Sequence, residues 1–235
     1  MDFAEALLPE GLFDVEELAR LHREIRYVGT EFLFSRAVLL CEGPSELGAL
    51  PEFAVHLEQD LDRLGVTLIA VNGGAFEPYL KLLGPDGFDI PHALVCDNDR
   101  TLNKLVKTLK RLNRLPGGVS TSSPVGMTER TLLASSGVFT WSAGDLETYL
   151  VAQGGYPAFE QAANFLYPSY NLSEHQASLI ANGKPAGEVE TVTSYVKRNR
   201  IRKPELAAEA ARRFDSVPDE IRHILEHVLG LAAVR

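Results

Sequence analysis

The chain has 235 residues, of which 45% are hydrophobic and 23% charged, and it carries a formal net charge of −9. This composition excludes intrinsic disorder, and the acidic balance excludes a simple basic nucleic-acid binder, because phosphate contacts require a surplus of Lys and Arg. No stretch approaches the roughly 20 apolar residues that cross a bilayer, and acids stand at the N-terminus where a secretory signal needs bases. We therefore expect a cytoplasmic protein with no membrane partner.

The first part of the chain alternates helical and strand patterns. An amphipathic helix is predicted at 14–26, where Val15, Leu18, Leu21 and Ile25 share one face. Short apolar runs then predict buried strands at 37–41, 66–71, 93–96 and 138–141. Helical patterns follow at 46–64, 75–83, 101–114 and 127–135. Apolar strands without strict alternation are typical of a parallel sheet covered on both faces, so we predict an α/β fold with a mostly parallel four-stranded sheet flanked by helices.

The remainder of the chain has only helical patterns, at 156–166, 173–182, 188–198, 204–214 and 218–232. This change in pattern divides the sequence into an N-terminal helical linker at 1–34, an α/β domain at 35–153 and a helical domain at 154–235. Two cysteines, Cys41 and Cys96, end predicted strands. Free cysteines at such positions are usually small buried residues, so we expect core packing and no disulfide.

Acidic residues follow three of the four predicted strands. Glu42 comes after the first, Asp97 and Asp99 after the third, and Asp145 and Glu147 just beyond the fourth. Because parallel strands bring their carboxyl ends to one edge of a sheet, these side chains are expected to converge there. Converging carboxylates repel one another unless cations lie between them, and such hard ligands without a His or Cys cluster favour Mg²⁺ or Mn²⁺. Taken singly, each acid also fits a solvated loop residue or a helix N-cap.

Two segments resemble the signature of TOPRIM domains. LLCEGPSE at 39–46 combines an apolar strand with Glu42, Gly43 and a second acid, Glu46, and LVCDNDRT at 94–101 supplies an Asp-x-Asp pair. Three further features resemble the OLD (overcoming lysogenization defect) nucleases within that group: VNGGAF at 71–76, GDLETYL at 144–150 and Lys203 in the helical C-terminal region. The resemblance covers roughly 35–215, and it implies a TOPRIM-type sheet with an additional helical C-terminal region.

The resemblance implies a metal-dependent DNA nuclease. Two divalent cations, Mg²⁺ or Mn²⁺, would stabilise the attacking and leaving oxygens. The catalytic residues would be Glu42, Asp97 and Lys203, the lysine neutralising charge on the phosphoryl oxygens. The metal ligands would be Glu42, Glu46, Asp97, Asp99, Asp145 and Glu147. OLD proteins also carry an N-terminal ABC-type ATPase, yet its phosphate-binding motif, GxxxxGK[ST], does not occur in this sequence. We therefore expect this chain to be the catalytic region of a longer protein, with such an ATPase as its partner.

Two groups of basic residues predict contacts with the phosphates of DNA. They are Lys104, Lys107, Lys110, Arg111 and Arg114 in the first group, and Lys197, Arg198, Arg200, Arg202 and Lys203 in the second. Phosphate contacts carry no base information, so we expect weak sequence specificity. An ordinary solvated charged face is the alternative for either group.

Two other functions fit parts of the sequence. CDNDRT at 96–101 contains the DxDxT of HAD-like phosphohydrolases, with Asp97 as the nucleophile, although that fold carries the motif on its first strand. A non-catalytic TOPRIM module that assembles DNA repair complexes is the second alternative. Nicking of supercoiled plasmid with Mg²⁺ or Mn²⁺, and its loss in EDTA, discriminates between a nuclease and both alternatives.

Overall fold

The structure, a computed structural model, describes residues 11–28, 31–71, 75–120, 125–198 and 202–234. Its sheet has four parallel strands in the order β2-β1-β3-β4. The strands are β1 (Ala37–Cys41), β2 (Val66–Ala70), β3 (His92–Cys96) and β4 (Val138–Thr140). The predicted parallel four-stranded sheet is confirmed. In this order β1 and β3 are the central strands, so the residues that follow them meet in the middle of the sheet edge.

Helices flank the sheet and form the C-terminal part of the chain, as predicted. Helix α1 (Val15–Val28) precedes β1, and the helices between the strands are α2 (Pro44–His56), α3 (Phe76–Leu83), α4 (Arg100–Arg111) and α5 (Met127–Ala134). Those after β4 are α6 (Leu146–Leu150), α7 (Tyr156–Leu166), α8 (Leu172–Ala181), α9 (Glu188–Arg198), α10 (Lys203–Ala211) and α11 (Asp219–Val234). A short 3-10 helix covers Glu31–Phe34, and a π-helical segment, Val151–Gly155, joins α6 to α7.

One predicted helix was wrong in extent, and one helix was missed. The predicted helix at 46–64 ends at His56, because Glu58 adopts a left-handed φ of 58° and the chain turns back toward β2. The periodic leucines beyond that point misled the prediction, since Leu61 packs in the core from a turn. Helix α6 was not predicted, because its five residues are too few to show a helical period.

Each face of the sheet packs against its own hydrophobic cluster. Ala37, Leu39 and Cys41 of β1 face a cluster that also contains buried residues of α2, α7, α9, α10 and α11. The alternate residues Val38 and Leu40 face a second cluster, built with α3 and α4. The C-terminal helices therefore share a core with α2, which holds them beside the carboxyl edge of the sheet. The domain boundaries at residues 34 and 153 stay a prediction.

Both cysteines are buried and free, as expected, with Cys41 in the first cluster and Cys96 in the second. Across the part of the chain that the structure describes, no helix has the length and apolar character needed to cross a membrane.

Candidate acidic active site

Five of the predicted site residues line one cavity of about 250 Å³ at the carboxyl edge of the sheet. They are Glu42, Glu46, Asp97, Glu147 and Lys203, and the cavity wall is completed by Gly43 and Pro44. Glu42 directly follows β1 and Asp97 directly follows β3, while Glu46 and Glu147 stand in the first turns of α2 and α6. Lys203 is the first residue of α10. Four carboxylates and one ammonium thus converge from five different segments.

Glu42 ties the ends of the two central strands together. Its Oε2 accepts a 2.8 Å hydrogen bond from the backbone N–H of Asp97, and its Oε1 accepts a 2.7 Å bond from the hydroxyl of Thr101. Burial raises the pKa of Glu42, and these two hydrogen bonds oppose that rise because they favour the charged form. Glu42 therefore fixes the position of Asp97 and of the start of α4.

Glu46 and Glu147 are nearly inaccessible to solvent, each with 3% exposure. Oε1 of Glu46 accepts a 3.3 Å hydrogen bond from the indole of Trp141, and Oε1 of Glu147 accepts one from the hydroxyl of Ser45. Burial, followed by repulsion from Glu147, raises the pKa of Glu46 to about 7. Two buried carboxylates side by side are costly unless one is protonated or a cation lies between them.

Asp97 is the most strongly perturbed acid of the cavity. Burial is the main cause, followed by repulsion from Glu42, Glu46, Asp145 and Glu147, and together they raise its pKa to about 9. Within the described ranges, no hydrogen-bond donor reaches its carboxylate. The Asp97 carboxylate is therefore the group in the cavity that gains most from a nearby positive charge.

Lys203 supplies the positive charge that the protein itself brings to the cavity. Its Nζ lies 3.3 Å from Oε1 of Glu147, and its side chain is 28% exposed. Burial works against the ammonium charge, but attraction from Glu147 and Glu46 outweighs it and raises the pKa of Lys203 above its ordinary value. Lys203 is therefore charged at neutral pH, and it partly neutralises the acids around it.

The position of Lys203 depends on a close contact between α2 and α10. A Cβ atom added at Gly48 in α2 would lie only 2.0 Å from the carbonyl oxygen of Pro204. Ordinary contacts of a Cβ atom begin near 3.4 Å. The absence of a side chain at Gly48 therefore allows the start of α10, and with it Lys203, to approach the acidic cavity.

Asp99 and Asp145, also predicted as metal ligands, lie outside the cavity lining. Both are helix N-caps: Oδ1 of Asp99 accepts from the N–H of Thr101 at 2.6 Å, and Oδ1 of Asp145 accepts from the N–H of Thr148 at 2.9 Å. Asp145 is close enough to the cavity to raise the pKa of Asp97. The cap role accounts for one oxygen of each residue, and metal binding by the other stays a prediction.

The donor chemistry of the cavity fits a divalent cation, since carboxylate oxygens are the ligands that Mg²⁺ and Mn²⁺ prefer. The arrangement, however, is not that of a formed site: among the residues that the structure describes, no three His, Cys, Asp or Glu side chains are grouped so as to hold a metal ion. Oxygens of Glu42, Glu46 and Glu147 instead accept bonds from protein donors. Glu42 uses both of its oxygens in these bonds, whereas Glu46 and Glu147 each use Oε1, so their Oε2 atoms could bind a cation without loss of a protein donor.

The two groups of basic residues predicted to contact DNA differ in how far their side chains are exposed to solvent. In α4, Lys104, Lys107 and Lys110 are exposed, whereas Arg114 turns inward and donates a 2.7 Å hydrogen bond to the carbonyl of Leu80. Arg114 is thus a structural residue and does not belong to a DNA-facing stripe. In the second group Lys197, Arg198 and Arg202 are exposed, and Lys203 lines the cavity. Arg200, like Gly73 and Gly74 of the VNGGAF segment, lies outside the described residues.

Four residues that serve the cavity were not among the predicted site residues. Ser45 and Thr101 lie inside the two quoted motifs, so their hydroxyls could have been considered as partners of the acids. Trp141 was interpreted as a core residue, and it is fully buried, but its indole also reaches Glu46. Nothing in the sequence pattern singled out Gly48, whose role becomes visible only when α10 is in place.

A parallel sheet in the order β2-β1-β3-β4, with a glutamate after β1 and Asp-x-Asp after β3, is the arrangement of a TOPRIM domain. The family model described as "Overcoming lysogenization defect protein-like, TOPRIM domain" matches residues 33–99. A structure of the C-terminal region of the Xanthomonas campestris pv. campestris OLD protein is 30% identical, covers 86% of this chain and 97% of that chain, and superimposes with a TM-score of 0.67. The chain belongs to the OLD family and corresponds to its C-terminal region.

Two further relatives extend this comparison. The C-terminal region of the Burkholderia pseudomallei OLD protein is 24% identical over 85% of this chain and 99% of that chain, with a TM-score of 0.63, and supports the fold. The Escherichia coli (strain K12) protein "Uncharacterized protein YbjD" is 25% identical over 232 residues, which are 97% of this chain and 36% of that protein. The chain thus spans about a third of the length of this curated relative.

Proposed function

We propose that this region is a nuclease that uses divalent cations to cut phosphodiester bonds of DNA. The observation that carries the proposal is the cavity at the sheet edge, where Glu42, Glu46, Asp97 and Glu147 converge with Lys203. Carboxylates that are buried or partly buried this close together destabilise a folded protein unless they are protonated or cations lie between them, so their presence favours a cation-binding site. Membership of the OLD family, with its TOPRIM domain, is the second support.

The residues lining the cavity would hold two cations, Mg²⁺ or Mn²⁺. Asp97 and Glu42 are the central candidates, because they follow the two middle strands of the sheet, and Glu46 and Glu147 face them from α2 and α6. Asp99 and Asp145 complete the proposed ligand set with the oxygens that their N-cap bonds leave available. When bound, the cations would lower the pKa of a water molecule and stabilise the charge on the attacking and leaving oxygens.

Lys203 would bind a nonbridging oxygen of the scissile phosphate. In the structure its ammonium pairs with Glu147, so a phosphate oxygen would replace a carboxylate oxygen that already lies 3.3 Å away. The lysine then neutralises negative charge as it develops on the phosphoryl group. Glu147 holds the ammonium at the mouth of the cavity until that exchange occurs.

We further propose that DNA is bound with little sequence preference and that the full-length protein includes an ABC-type ATPase. Exposed lysines of α4 and of the end of α9 can contact phosphates, which are the same at every base pair. The ATPase proposal is supported by the length of the E. coli relative, of which this chain matches about a third. Affinity for DNA should fall steeply with salt, as phosphate contacts require.

Nicking of supercoiled plasmid tests the proposal. The wild-type region should nick plasmid with Mg²⁺ or Mn²⁺ and stop when EDTA is added, and Asp97→Asn should be inactive. Asp86→Asn, the same substitution at an exposed aspartate in the loop after α3, should leave the rate unchanged. Nicking that persists in EDTA, or a wild-type rate in Asp97→Asn, would refute the assignment.

The plasmid assay also tests one alternative function, a non-catalytic module. A protein that binds DNA but leaves it intact with both cations would be a non-catalytic assembly module. The phosphohydrolase alternative has lost its support, because Asp97 follows the third strand along the chain and the chain belongs to the OLD family.

A further inference from the structure

Two arginines that shortly precede Lys203 in the sequence lie over tyrosine rings. The guanidinium carbon of Arg202 is 5.7 Å from the ring centroid of Tyr167, and that of Arg198 is 4.4 Å from the ring centroid of Tyr170. Arg198 also donates a 2.8 Å hydrogen bond to the hydroxyl of Tyr170. Both distances fall within the range in which a cation is attracted by the face of an aromatic ring. The tyrosines therefore orient these guanidinium groups.

The rings beneath the arginines are fixed by the core of the helical region. Tyr167 and Tyr170 both contact the buried ring of Tyr195, at centroid distances of 6.2 and 6.1 Å. The hydroxyl of Tyr170 is hydrogen-bonded to Nδ1 of His175 at 2.9 Å, and Nε2 of His175 to the hydroxyl of Ser194 at 2.8 Å. The two arginine–tyrosine pairs are thus neighbouring parts of one packed surface.

This surface begins at the cavity and is open to solvent. Arg202 directly precedes Lys203, which lines the cavity. The Arg202 side chain is 58% exposed, with its Nε 4.0 Å from a carboxylate oxygen of Glu205, and Arg198 is also exposed. Each arginine therefore presents a planar cation to solvent, while its tyrosine supports the other side.

We propose that Arg198 and Arg202 are stacking platforms for unpaired nucleobases of the strand whose phosphates enter the acidic cavity. The inference rests on the proposed nuclease function and narrows its substrate to single-stranded or frayed DNA. A base inside a duplex has both faces covered by its neighbours, so an unpaired base is the one that can stack on a guanidinium plane. A site that only attracted phosphates would need positive charge alone, which lysine provides without a planar group. It would not need a planar guanidinium held over an aromatic ring.

The electrostatics of the cavity favour the same location for the strand. A phosphate backbone approaching the ionised carboxylates of the cavity is repelled by them before cations neutralise that charge. Arg198 and Arg202 come shortly before Lys203 in the sequence, and Lys203 lines the cavity, so a strand that contacts these three cations meets attraction. The strand would then run from α9 across the start of α10 into the cavity.

The test compares arginine with lysine at both platforms, because this change keeps the charge and removes the plane. Binding of a fluorescent single-stranded oligonucleotide and of a blunt duplex of the same length is measured by anisotropy in EDTA. Wild type should bind the single strand more tightly. Arg198→Lys/Arg202→Lys should lose at least about fivefold in single-strand affinity, the smaller end of the effect of one stacked base. Its duplex affinity should stay within about twofold, since phosphate attraction is retained.

Arg63→Lys is the matched control, because Arg63 is exposed and lies in the turn before β2, at the amino edge of the sheet. It should bind both DNA forms like wild type. The inference is overturned if wild type prefers the duplex, if the double variant binds the single strand like wild type, or if both DNA forms lose affinity equally. Melting curves verify that the variants are folded. Because binding is measured without metal, it can succeed when plasmid nicking fails, and the two hypotheses are judged separately.

Discussion

Substituting alanine for Gly48 should move Lys203 out of the acidic cavity. The added Cβ would lie 2.0 Å from the carbonyl oxygen of Pro204, and ordinary contact begins near 3.4 Å, so α2 and α10 must separate by roughly 1 Å or more. Lys203 directly precedes Pro204, and its 3.3 Å contact with Glu147 would lengthen by a comparable amount. A misplacement of about 1 Å in a catalytic group can reduce the rate about 100-fold.

The effect on stability can be worked out against a second glycine. Forcing a methyl group into a packed contact costs about 1 to 3 kcal/mol. Alanine in place of glycine inside a helix gives back up to about 1 kcal/mol. Gly230 lies in α11, and a Cβ there meets nothing within 4 Å, so Gly230→Ala should gain helix stability without a clash. We expect Gly48→Ala to unfold in urea with a free energy about 1 to 3 kcal/mol below that of Gly230→Ala.

A double variant shows whether Gly48 acts through the lysine. If it does, Gly48→Ala should slow plasmid nicking in the wild-type background but add little to the defect of Lys203→Met. Independent, additive defects would mean that Gly48 acts on overall packing alone. The reasoning would be wrong if Gly48→Ala equalled Gly230→Ala in both stability and nicking rate.

Three other predictions concern the charges of the cavity. The pKa of Asp97 is raised to about 9 from an ordinary value of 3.8. The free energy of unfolding should therefore fall as the pH rises between these two values, by up to about 1.4 kcal/mol per pH unit. In EDTA, Asp97→Asn should therefore have the higher free energy of unfolding in urea near neutral pH. A difference between the two proteins that does not shrink on acidification would contradict this. Adding Mn²⁺ should raise the melting temperature of wild type but not of Asp97→Asn. Calorimetry of Mn²⁺ binding in two buffers should detect protons released from Asp97 and Glu46. Binding without proton release would disprove the raised pKa values. Lys203→Met should lower the free energy of unfolding in urea by about 1 to 3 kcal/mol, because it leaves the Glu147 charge unpaired. Adding Glu147→Gln should restore most of that loss. No recovery in the double variant would mean that the ion pair is not the cause.

The sheet was predictable because its signal is local. Apolar runs such as Ala37–Cys41 are buried on both faces, and their short length and β-branched or apolar residues, closed by acids or glycines, favour a strand over a buried helix. Helix ends were harder to predict, because periodicity continues through Leu61 although the backbone has already turned at Glu58. The five-residue α6 has no period to detect, and a cap at Asp145 cannot be distinguished from a ligand by sequence.

The acids of the site were predictable for the same local reason, since each candidate follows or nearly follows a strand. Their partners were not. Ser45 reaches Glu147 across 102 residues of sequence, and Trp141 reaches Glu46 across 95. The first bond depends on how α2 packs against α6, and the second on how α2 packs against the end of β4. Lys203 was singled out by a family resemblance, because a lysine at the start of a helix is otherwise an ordinary surface residue.

The late position of Lys203 in the chain has a consequence for biosynthesis. A chain leaving the ribosome exposes β1, β3 and their acids early, and domains generally fold in the order in which they emerge. The counter-charge to Glu147 arrives only with α10, after nine of the eleven α-helices in the described ranges and all four strands of the sheet have been made. A prematurely terminated product therefore has the carboxylates without the ammonium.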